Sequence, residues 1–270
     1  RPSSFGFSMS ALIVDGDVVH YEVLGRGRPL IFVHGWLGSW RYWVPTLQAV
    51  SSSYRAYALD LWGFGDSARR RADYGLDGQV ELLRTFMDRL AIVKAAFVGH
   101  GLGAAVVALL CRLYPALADR ALLVGLPIDA TDLNPRLLDG APGALIESCI
   151  DRGPHLEPIL REAGKTDRNA VAASVDALRV AEMARLLGEL SQPVLLAHGA
   201  RDTLVAMPGD GVTEALGANV HSVGLAESRH FPMLDETARF NRLVTDFLSL
   251  KDTGELRGLT LKEEWVRRVR

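Results

Sequence analysis

Ala95-Ala96-Phe97-Val98-Gly99-His100-Gly101-Leu102-Gly103-Ala104 decides how this chain is read. A short apolar run closes at residues 95–98 and a long one opens at Leu102 and continues to Arg112. Such a pattern predicts a buried strand, a sharp turn and a helix. Gly99 and Gly103 flank the turn, where a helix start must pack closely on a strand end. This is the context in which many enzymes present a nucleophilic serine at the apex of a strained strand-to-helix turn. The apex residue here is Gly101, which carries no nucleophile. Glycine takes such φ/ψ values at little cost, so the turn is expected to form with less strain than a serine would store.

Outward from that turn, strands and helices alternate. Residues 10–14 and 18–24 read as a hairpin joined by Asp15-Gly16-Asp17, a strong turn signal. Further strands are expected at residues 30–33, 55–59, 121–124, 194–197 and 220–223, and helices at 42–50, 79–90, 102–114 and 237–250. The helix from Leu102 should stop before Pro115. Alternation of this kind predicts an α/β fold with a mostly parallel sheet covered on both faces. Residues 128–191 are different: they read as three or four helices broken by Pro, Gly and Asp, inserted as a cap. The expected organisation is a core formed by 1–127 and 192–250, a cap at 128–191 and an amphipathic tail at 251–270. In that tail Leu261, Trp265 and Val269 share one helical face, which points to a terminal helix docked on the body.

Composition narrows the function classes. The chain has 270 residues, 49% of them hydrophobic, enough for one large α/β domain. A formal charge of −2 gives no global attraction to nucleic acid. Cys111 and Cys149 lie in apolar helical patterns and read as buried thiols rather than a disulfide framework. No apolar stretch reaches the roughly 18 residues of a membrane span, and no signal peptide is read at Arg1. A cytoplasmic protein is therefore expected, with its oligomeric state open. There is no His-Glu-x-x-His, no paired-cysteine spacing and no phosphate-cradling loop, so neither metal nor cofactor is expected.

Five segments, taken in order, make the chain resemble the α/β-hydrolase superfamily, particularly its capped esterase-like and epoxide-hydrolase-like members. They are His34-Gly35-Trp36, residues 60–67 (Asp60 to Ser67), the turn at 99–103, His198-Gly199-Ala200-Arg201-Asp202, and Ser228-Arg229-His230-Phe231-Pro232. The resemblance implies that Asp202 is the acid and His230 the base of a catalytic triad, and that Gly101 occupies the nucleophile position. It also implies an oxyanion hole made by the backbone N–H groups of Trp36 and Leu102, which do not depend on a side chain at 101. Trp36, Leu102 and Phe231 are expected to face an apolar substrate pocket. His34 and His198 match family positions that are structural turns, and Asp60 and Asp66 are expected to organise the turn after the fourth strand. His20, His155 and His221 read as structural.

No residue substitutes obviously for the missing serine. An aspartate nucleophile is excluded at 101, Cys111 lies about 15 Å further along the helix, and Ser39 is not at a strand-to-helix turn. A water molecule beside His230 could be deprotonated and attack a small apolar ester directly. The resemblance offers a second chemistry, since some cofactor-free dioxygenases of this fold use a His–Asp base on a substrate proton. Three readings therefore stand: a hydrolase-lineage enzyme working through His230 and Asp202, a pseudo-hydrolase that binds a small ligand, or an esterase whose serine has been replaced. Retention of Asp202 and His230 favours the first and third.

Overall fold

In this computed structural model the described residues are 10–139, 142–150, 153–209 and 216–261. The opening hairpin pairs β1 (Ser10–Val14) with β2 (Asp17–Gly25). Asp15 and Gly16 both take positive φ in the two-residue turn, 49° and 89°, which matches the natural twist of the strands. The sheet continues with β3 (Arg28–Val33), β4 (Tyr54–Leu59), β5 (Ala95–His100), β6 (Ala118–Val124), β7 (Val194–Gly199) and β8 (Val220–Leu225). The spatial order is β1-β2-β4-β3-β5-β6-β7-β8. β2 meets β4 antiparallel, and every later pairing is parallel. β5 and β7 are buried along their whole length, as parallel strands covered on both faces must be.

Helices α1 (Val44–Val50), α2 (Leu76–Arg89) and α3 (Leu102–Leu113) connect the strands up to β6. The helix expected at 42–50 is instead split. A 3₁₀ turn at Trp40–Trp43 precedes α1, capped by Ser39 Oγ, which accepts from the Arg41 N–H. The reason is packing: Trp40 and Trp43 are both buried, and a 3₁₀ period puts residues three apart on one side. α3 is buried nearly all round, which its uninterrupted apolar sequence requires.

Between β6 and β7 the chain makes five described helices: α4 (Arg136–Asp139), α5 (Pro142–Cys149), α6 (Leu156–Ala163), α7 (Arg168–Arg179) and α8 (Met183–Gly188). A single antiparallel bridge, Leu133 to Val205, ties the start of this excursion to the loop after β7. After β8 follow α9 (Pro232–Asp235) and α10 (Thr237–Ser249). A 3₁₀ turn at Thr253–Gly258 then docks through fully buried Leu256, and His221 Nε2–H donates to the Leu259 carbonyl (3.1 Å). Trp265 and Val269, on the expected tail helix, lie outside the described residues. Among the described residues no helix is long and apolar enough to cross a membrane.

Candidate active site

The carboxyl ends of β3, β5, β6 and β7 converge on the turn at Gly101. Its φ/ψ of 52°/−114° is a conformation that side chains rarely tolerate. The Gly101 N–H donates to the Val124 carbonyl (2.8 Å), and its own carbonyl accepts from Ala104 and Ala105. The flanking glycines serve a different need, that of close approach. A Cβ on Gly103 would lie 2.4 Å from the Val33 oxygen, and one on Gly99 would lie 2.5 Å from the Gly103 oxygen. α3 can therefore start only where both residues lack side chains.

Gly101 lies against an aromatic ring. An ideal Cβ there would meet Cε3 and Cζ3 of Trp36 at 3.3 Å. The indole is fully buried, and its Nε1–H donates to Ser174 Oγ on α7 (2.9 Å). Ser174 in turn donates to the Val171 carbonyl (2.9 Å). The volume released by a missing side chain is thus flanked by a clamped aromatic ring.

His230 and Asp202 come together from separate loops. His230 Nδ1 lies 2.8 Å from Asp202 Oδ2, with both side chains buried. Asp202 Oδ1 accepts from the Leu204 and Val205 N–H groups (2.7 and 3.1 Å). Burial alone would raise the Asp202 carboxyl, but His230 and these two donors outweigh it and hold the group below the usual carboxylate range. Gly125, just after β6, has a positive φ of 55° that favours glycine, and the pair lies at ordinary contact distance from it. A Cβ there would stand 3.6 Å from His230 Cε1 and 3.7 Å from Asp202 Oδ2. His230 Nε2 is buried with no hydrogen-bond partner among the described residues.

A second histidine fixes the backbone of the first. His100 Nε2 lies 2.8 Å from the His230 carbonyl, an acceptor, so Nε2 carries the proton and Nδ1 accepts from Tyr42 OH (2.9 Å). The same phenol oxygen accepts the Gly35 N–H (2.7 Å). Burial, and then the neighbouring His230, push the His100 pKa far below its usual value, so the ring is neutral. Its centroid is 4.3 Å from that of His230. The His34-Gly35 loop, the strand-to-helix turn and the base are therefore joined by one hydrogen-bonded chain. Tyr42 and Ser174 carry no sequence signal for these roles, since their partners lie 58 and 138 residues away.

Other candidates resolve as structural. His34 donates from Nδ1 to the Gly35 carbonyl and accepts the Leu61 N–H at Nε2. His198 Nε2–H donates to Leu126. Ser39 is used in its cap, and burial pushes the Cys111 thiol up to about 12. Phe231 packs its ring against Tyr42, His100 and His230, behind the base. Leu102 is equally buried, and of the three residues expected to line a pocket only Trp36 borders a described cleft.

The one group of metal-ligating side chains among the described residues is His20, Asp60 and Asp66. Its charges are already matched. Asp60 accepts the Trp40 and Asp66 N–H groups and lies 3.2 Å from His20 Nδ1; Asp66 pairs with Lys165 (2.8 Å) and Arg41 (3.5 Å). Burial opposes a proton on His20, but Asp60 outweighs it and the pKa rises above 6.5. A raised folded-state pKa stabilises fully below the unfolded value and fades as pH climbs through the folded one. The melting-temperature gap between this protein and His20→Gln should therefore narrow between about pH 6 and about pH 8.5. An equal gap at both would show that His20 is not charged in the fold.

A model of the alpha/beta hydrolase fold matches residues 28–145. The pimeloyl-(acyl-carrier protein) methyl ester esterase of Methylococcus capsulatus is 28% identical over 256 residues, 84% of this chain and 97% of that protein. Human epoxide hydrolase 4 is 32% identical over 112 residues, 40% of this chain; the match spans 31% of that protein's length. A solved hydrolase from Pseudomonas aeruginosa superposes with a TM-score of 0.79 at 22% identity, covering 92% of this chain and 100% of that one. Family model, relatives and an eight-stranded sheet with its strand-to-helix turn agree, and the chain has the α/β-hydrolase fold.

Proposed function

We propose that this protein acts on a small apolar ester or carbonyl compound through a His230–Asp202 dyad, without a protein nucleophile. One observation carries the reading: His230 holds Nδ1 on Asp202 while Nε2 is buried and unpartnered among the described residues. An unmade buried hydrogen bond costs about 1–3 kcal/mol. His34 and His100 avoid that cost by using both ring nitrogens; His198 Nδ1 is also buried and unpartnered among the described residues, so the carboxylate on the opposite nitrogen is what sets His230 apart. A buried ring nitrogen left unused by the protein's own groups is suited to a proton transfer.

In this mechanism His230 Nε2 takes a proton from water as the water oxygen adds to the ester carbonyl. Asp202 stabilises the resulting imidazolium. The N–H groups of Trp36 and Leu102 hold the developing oxyanion; Leu102 opens α3, so its N–H has no intrahelical acceptor. The C–O bond to the leaving alcohol then breaks, and imidazolium returns the proton to the alkoxide. Residues 128–191 act as the cap that keeps bulk water out, and Ser174 on that cap holds Trp36 over Gly101 until substrate displaces it. No cofactor enters.

The clamped indole also favours a second reading, a non-catalytic binder of small ligands, because it lies against Gly101, where a nucleophile would stand. Hydrolysis of a short-chain chromogenic ester by this protein and by His230→Gln separates the two. The dyad reading expects a loss of about 10²- to 10⁴-fold on removing the base. Equal background rates would sink it and leave ligand binding.

A further inference from the structure

Trp36 also borders a cleft of about 60 Å³ lined by residues of α4 and α7. Its apolar side includes Trp36, Leu137 and Val171, and its polar side is Arg136, Arg168 and Thr166. No acidic side chain lines it among the described residues. The Arg168 guanidinium makes one bond, to the Leu138 carbonyl (3.1 Å), and the Arg136 guanidinium has no partner among the described residues. Thr166 Oγ1 is buried and also unpartnered among them. Nearby carboxylates are committed elsewhere: Asp167 accepts from Tyr74 OH and Asn169, while Glu162 and Asp66 are held by Arg41 and Lys165.

We propose that this cleft is an anion subsite, in which Arg136, Arg168 and Thr166 recognise the carboxylate of a small carboxylate-bearing ester or ketone. The two guanidinium groups are donors only, the Thr166 hydroxyl can donate as well, and guanidinium matches a carboxylate in planar, two-bonded fashion. The size agrees: at about 10–15 Å³ per water-sized group, the cleft holds roughly four to six such groups. That is a carboxylate with one or two methylenes, the methylenes lying on Trp36, Leu137 and Val171. A shared wall at Trp36 puts this anchor beside the ring that packs on Gly101, so occupancy of the cleft and release of the indole are coupled. The substrate class thus sharpens to short keto acids and monoesters of short dicarboxylic acids. Only the reacting end of this assignment rests on the dyad reading; the anion site is a matter of binding.

Levulinate, a ketone that cannot be hydrolysed, and methyl butyl ketone, its neutral counterpart, test the site by calorimetric titration of the intact chain. Levulinate is expected to bind at least about tenfold more tightly, and Arg136→Gln and Arg168→Gln are each expected to weaken it by about 10- to 100-fold, the weight of a charge-assisted hydrogen bond. Raised salt should weaken levulinate and leave the neutral ketone unchanged. Arg89→Gln, exposed on α2, should change neither. Both arginines that line the cleft are exposed, so their replacement leaves the fold intact, which circular dichroism verifies. Equal affinity for the two ketones, or arginine variants that bind like the parent, overturns the proposal. Tighter binding of inorganic phosphate than of levulinate overturns the carboxylate assignment. Arginine-dependent binding without any esterase activity would reject the dyad reading alone, and esterase activity indifferent to substrate charge would reject the anion site alone.

Discussion

Gly101→Ser combined with Trp36→Phe is expected to raise short-chain ester hydrolysis by about 10³- to 10⁶-fold over this protein, since losing a triad nucleophile costs on the order of 10⁶. Both substitutions are needed. The serine Cβ would approach the indole benzo carbons at 3.3 Å, a contact the ring relieves only by shifting a few tenths of an ångström. Such a shift strains the hydrogen bond from Nε1 to Ser174. Phenylalanine removes the carbons in contact and the tie, while the backbone N–H at 36 is unchanged. The serine must also adopt φ near +52°, at a stability cost of about 1–3 kcal/mol. Gly101→Ser alone should therefore gain less activity and unfold at lower urea than the double variant. Initial rates on a chromogenic ester, with active protein counted by a serine-reactive inhibitor, check this. An inhibitor-labelled serine without turnover would show that the His230–Asp202 pair cannot serve an acyl enzyme. No labelling at all would show that the pocket does not open to esters.

The fold was largely readable because its decisive features are local. Asp15-Gly16 sets the hairpin, apolar runs without alternation mark strands buried on both faces, and the glycines at 99 and 103 announce close packing. The site divides along the same line. Asp202 and His230 each sit in short stretches that resemble family segments, and the structure brings them within 2.8 Å. What sequence could not supply is everything fixed by side-chain direction. Nothing in the sequence around His100 marks its role, yet its ring bridges Tyr42 and the His230 carbonyl. Trp36 was legible as a neighbour of the site, but its contact with Gly101 depends on a rotamer held by Ser174, far away in the chain. The 3₁₀ turn at Trp40–Trp43 likewise follows from two tryptophans burying on one side, not from helix propensity.

Gly103→Ala is expected to destabilise the protein by roughly 3 kcal/mol or more, because overpacking against rigid backbone has no cheap relief. The added methyl would lie 2.4 Å from the Val33 oxygen and 2.6 Å from the His34 oxygen. Neither is a side chain that can rotate away. Val33 ends β3, in the middle of the sheet, and His34 is locked by bonds to Gly35 and Leu61. Relief requires the first turn of α3 to lift off the strand, which also moves Gly101 and the Leu102 N–H. Gly188→Ala is the counter-case. Gly188 ends α8 with nothing within 4 Å of an added Cβ and no positive φ. There alanine only restricts the unfolded chain and improves helix propensity, so a gain of about 0.4–1 kcal/mol is expected. Urea unfolding of the two variants against the parent should give shifts of opposite sign. A Gly103→Ala protein as stable as the parent would mean that α3 and β3 are not packed at the distances described, and the placement of the turn that presents residue 101 would fail with it.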